Sequence, residues 1–130
     1  MNLRARLTGA GLAVLGAASV LAVSSAIEPA PAQAANYYGA LALSPSTGAT
    51  GRAWDYSDTT SARNAARSAC GYSDCKVVAA FVNGCGAIAR GDAYWGYGAA
   101  DDLYTAQSYA LYYSGGGYIY DWLCTSGHSA

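Results

Sequence analysis

Two rhythms of apolar and polar residues run along this chain, and they recur twice in the same order. Residues 40–43 (ALAL) and 52–56 (RAWDY) are short apolar or alternating runs. Between them lie Ser44-Pro45-Ser46-Thr47-Gly48, a set of turn formers, so the pattern predicts a hairpin. Ala62, Ala65, Ala66, Ala69 and Cys70 then fall at i, i+3, i+4, i+7 and i+8, with Arg63, Asn64 and Arg67 between them. That is the stripe of an amphipathic helix over Thr59–Cys70, with Asp58 placed to cap its start and Gly71 to end it in a left-handed turn. Lys76–Val82 (KVVAAFV) is almost continuously apolar, which predicts a strand covered on both faces.

The second half repeats the plan. YGALALSPSTG at 38–48 resembles CGAIARGDAYWG at 85–96, with Gly39 matching Gly86. Further on Asp58 maps to Asp102, Ala62 to Ala106 and Ala66 to Ala110, after a hairpin three residues shorter. Strands at 86–90 and 94–98 around Gly91-Asp92, a helix from the Asp102 cap to about Tyr113, a break at Gly115-Gly116-Gly117 and a strand at 118–123 complete it. The predicted architecture is α+β: a tandem ββαβ repeat with pseudo-twofold symmetry, six short strands and two helices. Small alanine stripes let each helix approach its sheet closely. The pattern leaves open whether the strands form one continuous sheet or two facing ones.

Ahead of the repeat stand a basic start (Arg4, Arg6), an apolar run over 7–23 and the A-x-A signal Ala32-Gln33-Ala34. This predicts a secretory signal peptide over 1–34 and one exported domain over 35–130, secreted and with no membrane attachment after cleavage. That domain carries five basic residues, Arg52, Arg63, Arg67, Lys76 and Arg90, against seven aspartates. Such a balance has no footprint for nucleic acid and no polybasic patch for anionic lipid.

All four cysteines lie in the exported part, where oxidising conditions favour disulfides. Three pairings are possible. The repeat discriminates among them, because Cys70 and Cys75 correspond to Ser114 and Ile119, so both are present in one copy and both are missing in the other. Cys70 and Cys75 are therefore expected to pair, leaving Cys85 for Cys124 and a disulfide-stapled fold. A redox pair would want its thiol at a helix N-terminus, whereas Cys70 ends a helix. Zinc would want four ligands at short spacings. No metal or cofactor is expected.

Chemistry of other kinds is thinly represented. The exported part has no glutamate, and its one histidine, His128, is the third residue from the end. SGGGY at 114–118 opens a strand rather than a helix, unlike a phosphate-cradling loop. An acid–base pair could in principle be drawn from Asp55, Asp92 and Asp121, but their spacing is that of ordinary turn and strand-end residues. The abundant feature is aromatic: twelve tyrosines and three tryptophans. Alternation puts Arg52, Trp54 and Tyr56 on one strand face, Trp95 and Tyr97 on another, and Tyr118, Tyr120 and Trp122 on a third. Packing against the alanine helices accounts for most of them. Tyr37, Tyr38, Trp95, Tyr97, Tyr112 and Tyr113 are the candidates for a binding surface.

The succession YGALALSPSTG, GRAWDYSDTTSARNAARSACGYSDCKVV, GCGAIARGD and GGGYIYDWLC resembles domain-of-unknown-function family 4189 over residues 38–124. The resemblance implies a small exported protein of the kind common in mycobacteria and related actinobacteria. It also implies that members richer in cysteine carry an extra pair at the sites of Ser114 and Ile119, in keeping with the pairing above. It transfers no catalytic residue. The expected function is a non-catalytic module that interacts with a protein or a glycan at the cell envelope or a host surface. The competing expectation is a hydrolase that uses aspartates alone on an extracellular substrate.

Overall fold

A computed structural model describes residues 36–128; the expected signal peptide lies outside the described residues. The chain runs β1 (Tyr38–Leu43), β2 (Thr50–Tyr56), α1 (Thr59–Cys70), β3 (Lys76–Val82), β4 (Cys85–Arg90), β5 (Trp95–Ala100), α2 (Leu103–Tyr113) and β6 (Tyr118–Cys124). The strands form two three-stranded antiparallel sheets, ordered β2-β1-β3 and β5-β4-β6. Each half of the repeat thus builds its own sheet, with its own helix on the outer face.

Both helices start as the sequence predicts. The Asp58 carboxylate accepts from the Ser61 backbone N–H at 2.7 Å, and Asp102 accepts from that of Thr105 at 2.8 Å. Their ends differ. Gly71 closes α1 at φ 83°, whereas Ser114 follows α2 in right-handed geometry and Gly115 and Gly116 take the positive φ angles one step later.

Strand alternation sorts side chains into three layers. Ala40, Ala42 and Ala53 face Ala62, Ala66 and Cys70 of α1. Cys85, Ala87 and Ala89 face Ala106 and Ala110 of α2. Between the sheets lie Leu41, Leu43, Ala79, Phe81, Ile88 and Leu123. The order is helix, sheet, sheet, helix, which resolves the open question in favour of two stacked sheets. The helices ride on nearly bare backbone: a Cβ on Gly51 would come within 1.9 Å of the Ala66 carbonyl, and one on Gly96 within 2.0 Å of the Ala110 carbonyl.

Two expectations change. β3 packs on both neighbouring layers, through Val77 on one face and Ala79 and Phe81 on the other, but as an edge strand with Lys76 and Val82 exposed, and the most fully buried strands are the central ones, β1 and β4. Hydrophobicity records contact with neighbouring layers, and an edge strand makes such contacts through both faces too. The tyrosines do not fill the core either, since ten of the twelve are exposed. The space between the sheets is taken by aliphatic residues and by the one phenylalanine of the chain. Phe81 lies over Gly39 and Gly86, the matched glycines of the repeat, where an added Cβ would approach its ring to 2.5 and 2.4 Å.

The disulfides are Cys70–Cys75, at the α1–β3 corner, and Cys85–Cys124, joining directly opposed residues of β4 and β6. On the chain-entropy model the first contributes ~2 kcal/mol and the second, closing the longer loop, ~4 kcal/mol. Such bonds persist in oxidising, non-cytoplasmic compartments. Among the described residues no helix is long and apolar enough to cross a membrane.

Candidate functional site

The edge strands β2 and β6 run in the same direction along one side of the sandwich, and a row of polar contacts joins them. The Tyr120 hydroxyl donates to the Gly48 carbonyl at 2.6 Å. Thr50 donates through its hydroxyl to Asp121 at 2.9 Å, and the Arg52 guanidinium donates to the Trp122 carbonyl at 2.8 Å. Nε of Arg52 lies 3.7 Å from the Asp121 carboxylate, the one ion pair among the described residues. At the far end Asp55 accepts from the backbone N–H of Ser126 at 2.9 Å and also from its hydroxyl. Asp55 reaches over in left-handed backbone, φ 61°, a conformation that aspartate tolerates better than most residues.

This row leaves large aromatics at the surface. Arg52 and Trp54 alternate with Gly51 and Ala53, which face α1, so both leave β2 on the side of the second sheet. Because β2 is an edge strand, Trp54 remains 51% exposed. Trp122 is opposite Ala87 and leaves β6 on the α2 side, 41% exposed. Tyr56, Tyr118 and Tyr120 are exposed along the same edge. Arg52, Ala53, Trp54 and Tyr56 line a shallow depression of about 340 Å³. Toward the Gly48 end of the edge the Trp95 ring meets Tyr120 edge-on, with centroids 4.9 Å apart, and carries the Arg90 guanidinium 4.6 Å above its face.

The six aromatics singled out from the sequence do not converge. Tyr38 is half-buried against the α1 layer, and Trp95 and Tyr97 are half-buried between the sheets, where burial pushes the Tyr97 hydroxyl pKa up. Tyr37 is exposed at the start of β1, and its N–H donates to the Asn83 side chain. Tyr112 and Tyr113 are exposed at the end of α2, packed edge-to-face. Trp54 and Trp122 were legible as strand-face residues. What the sequence lacked was any sign that β2 and β6 are edges, and edges of the same side.

The aspartates proposed for hydrolysis are held apart in their roles. Asp121 serves Thr50, Arg52 and the Trp122 N–H, and Asp55 fastens Ser126. Asp92 is exposed in the β4–β5 turn. His128 is half-buried in a turn with Thr125, its Nδ1 3.0 Å from the Ser126 carbonyl. The Ser126 hydroxyl donates to Asp55 and not to this ring, so Asp55, Ser126 and His128 lack the order of a nucleophile–base–orienter relay. Among the described residues no three His, Cys, Asp or Glu side chains gather as metal ligands.

Known proteins share this framework. The chain is 45% identical over 93 residues to protein Rv1269c of Mycobacterium tuberculosis, covering 72% of this chain and 73% of that protein. The NMR structure of Rv1813c from the same organism superposes with a TM-score of 0.56 at 32% identity, covering 68% of this chain and 74% of that one. The model of a domain of unknown function, DUF4189, matches residues 38–124, from the first residue of β1 to the last of β6, and the chain belongs to that family.

Proposed function

We propose that this protein is a secreted, non-catalytic module that binds a glycan along the β2/β6 edge, at the cell envelope or on a host surface. The observation that carries this is the pair of exposed tryptophans, Trp54 and Trp122, flanking the Arg52–Asp121 pair on a shallow and open edge. Indole faces offer rigid apolar area for the C–H faces of sugars. Arg52 uses Nε and Nη2 toward β6, and its Nη1 has no hydrogen-bond partner among the described residues. Because that arginine is already neutralised by Asp121, the edge favours an uncharged polyhydroxylated ligand over a phosphorylated one.

Titration with cell-envelope polysaccharide, followed by tryptophan fluorescence, tests this. Trp54→Ala and Trp122→Ala are each expected to weaken binding by about tenfold or more, as truncated aromatic anchors do. Both should keep the native circular dichroism spectrum. Unchanged affinity in both variants sinks the assignment. A hydrolytic turnover abolished by Asp55→Asn or Asp121→Asn, with the fold intact, would replace it by the aspartate hydrolase.

A further inference from the structure

The opposite edge of the sandwich, bounded by β3 and β5, is made differently. Natural sheets stop strand addition with charges, bulges and irregular backbone on their edges. β2 and β6 carry such devices. Asp55 breaks the extended backbone of β2, an extra residue interrupts the β6 ladder, and Arg52 occupies an outward carbonyl of β6. On β3 one bulge near Val78 precedes a regular stretch, Ala79–Val82, paired with β1 on one side only. This stretch has no charge and no proline, and Val82 is exposed. Beside it is a depression of about 220 Å³ lined by Ala80, Phe81, Val82, Ala99, Ala100 and Asp101.

The charges that flank this strand are self-complementary. Lys76 is exposed at its start, and Asp101 is exposed beside its end, close to Val82 and Gly84. Neither makes an ion pair or a side-chain hydrogen bond among the described residues. The neighbouring Asp74 carboxylate is taken up by Ser44 and Ser46. An antiparallel contact about a twofold axis near Ala80 sets Lys76 of each copy beside Asp101 of the other. A parallel contact would set like charges together.

We infer that the occupant of the β3 edge is a second copy of this chain, paired β3 to β3 with antiparallel strands. The contact is isologous and closes at two copies. Each three-stranded sheet of the first half becomes half of a six-stranded one, ordered β2-β1-β3-β3-β1-β2. The two aromatic edges then lie at the outer ends of that sheet, roughly 24 Å apart at the usual strand spacing. If the glycan reading holds, the pair is bivalent, and linked sites gain avidity without new contacts. The pairing itself does not depend on that reading.

Sedimentation equilibrium on the oxidised protein, recovered after export from the full-length chain, tests the inference over micromolar to millimolar concentrations. The expected result is a concentration-dependent rise toward twice the monomer mass, with β3 amides gaining hydrogen-exchange protection in step. Lys76→Asp and Asp101→Lys should each weaken association by about tenfold at low salt, since each sets like charges together across the contact. The double variant should restore it. Both positions are exposed, so the variants are expected to fold. A monomer throughout the range overturns the inference. So does a dimer that ignores both reversals, or one that leaves β3 amides exchanging freely.

Discussion

Along β2 and β6 the two sheets meet through Tyr120 and Gly48, Thr50 and Asp121, Arg52 and Trp122, and Asp55 and Ser126. Along β3 and β5 the same sheets meet through Phe81, Ala79 and the half-buried Tyr97, and no side-chain hydrogen bond joins those two strands among the described residues. The first edge is specific and nearly neutral in energy, because its groups exchange water for one another at the surface. The second is where apolar area leaves water, which is the dominant favourable term in folding. Polar contacts thus dominate one side of this small sandwich and apolar packing the other, and the recognition proposed for the first side can change without removing the second.

The largest expected effect tests the apolar side. Phe81→Ala removes the ring that covers both Gly39 and Gly86, leaving a gap that backbone on two sheets must close. Urea denaturation should show a loss of about 3–5 kcal/mol, the range for a buried phenylalanine. A loss below about 1 kcal/mol would mean that the two sheets are held together mainly along the other edge.

A much smaller effect is expected from the polar side. Arg52→Ala removes a half-exposed ion pair and one hydrogen bond to the Trp122 carbonyl, which water can replace. It should cost less than about 1 kcal/mol in the same experiment, while weakening the glycan binding proposed for that edge. If Arg52→Ala destabilises as much as Phe81→Ala, the contrast between the edges collapses.

Titration sharpens the comparison further, through direction rather than size. Tyr97 keeps its proton in the fold after the unfolded chain begins to lose it near pH 10, so stability should fall as pH rises past that point. Asp58 and Asp74 are held below the usual carboxylate range, Asp58 by hydrogen bonds from Ser61 and Asp74 by those from Ser44 and Ser46. Their contribution is fully present above about pH 3.9 and is lost as pH falls through their lowered folded values. Thermal melts across pH should therefore show an alkaline loss traced to the inter-sheet layer, removed by Tyr97→Phe. They should also show an acid loss that is reduced in Asp58→Ala and Asp74→Ala.

Much of the scaffold was legible residue by residue. Asp58 and Asp102 cap helices because an aspartate before an alanine stripe offers an acceptor to unpaired N–H groups, a local matter that sequence records directly. The candidate site was less legible. Trp95 and Tyr97 alternate along β5 as Trp54 does along β2 and Trp122 along β6, yet the first two are half-buried between the sheets and the other two lie on the rim. Period-two spacing names a face, and it says nothing of whether another layer covers that face.

The amino-acid order by itself determined the two ββαβ halves, their helix caps and their closely seated alanine helices. These depend on interactions within a few residues, or on a periodicity repeated in each copy. Only the tertiary structure decided that the halves stack sheet on sheet, that Phe81 is shared between Gly39 and Gly86, and that β2 and β6 end up on one side with β3 and β5 on the other. Those outcomes depend on which of several apolar faces meet. Hydrophobic burial is non-directional, so a sequence specifies that a face must be covered without stating by what.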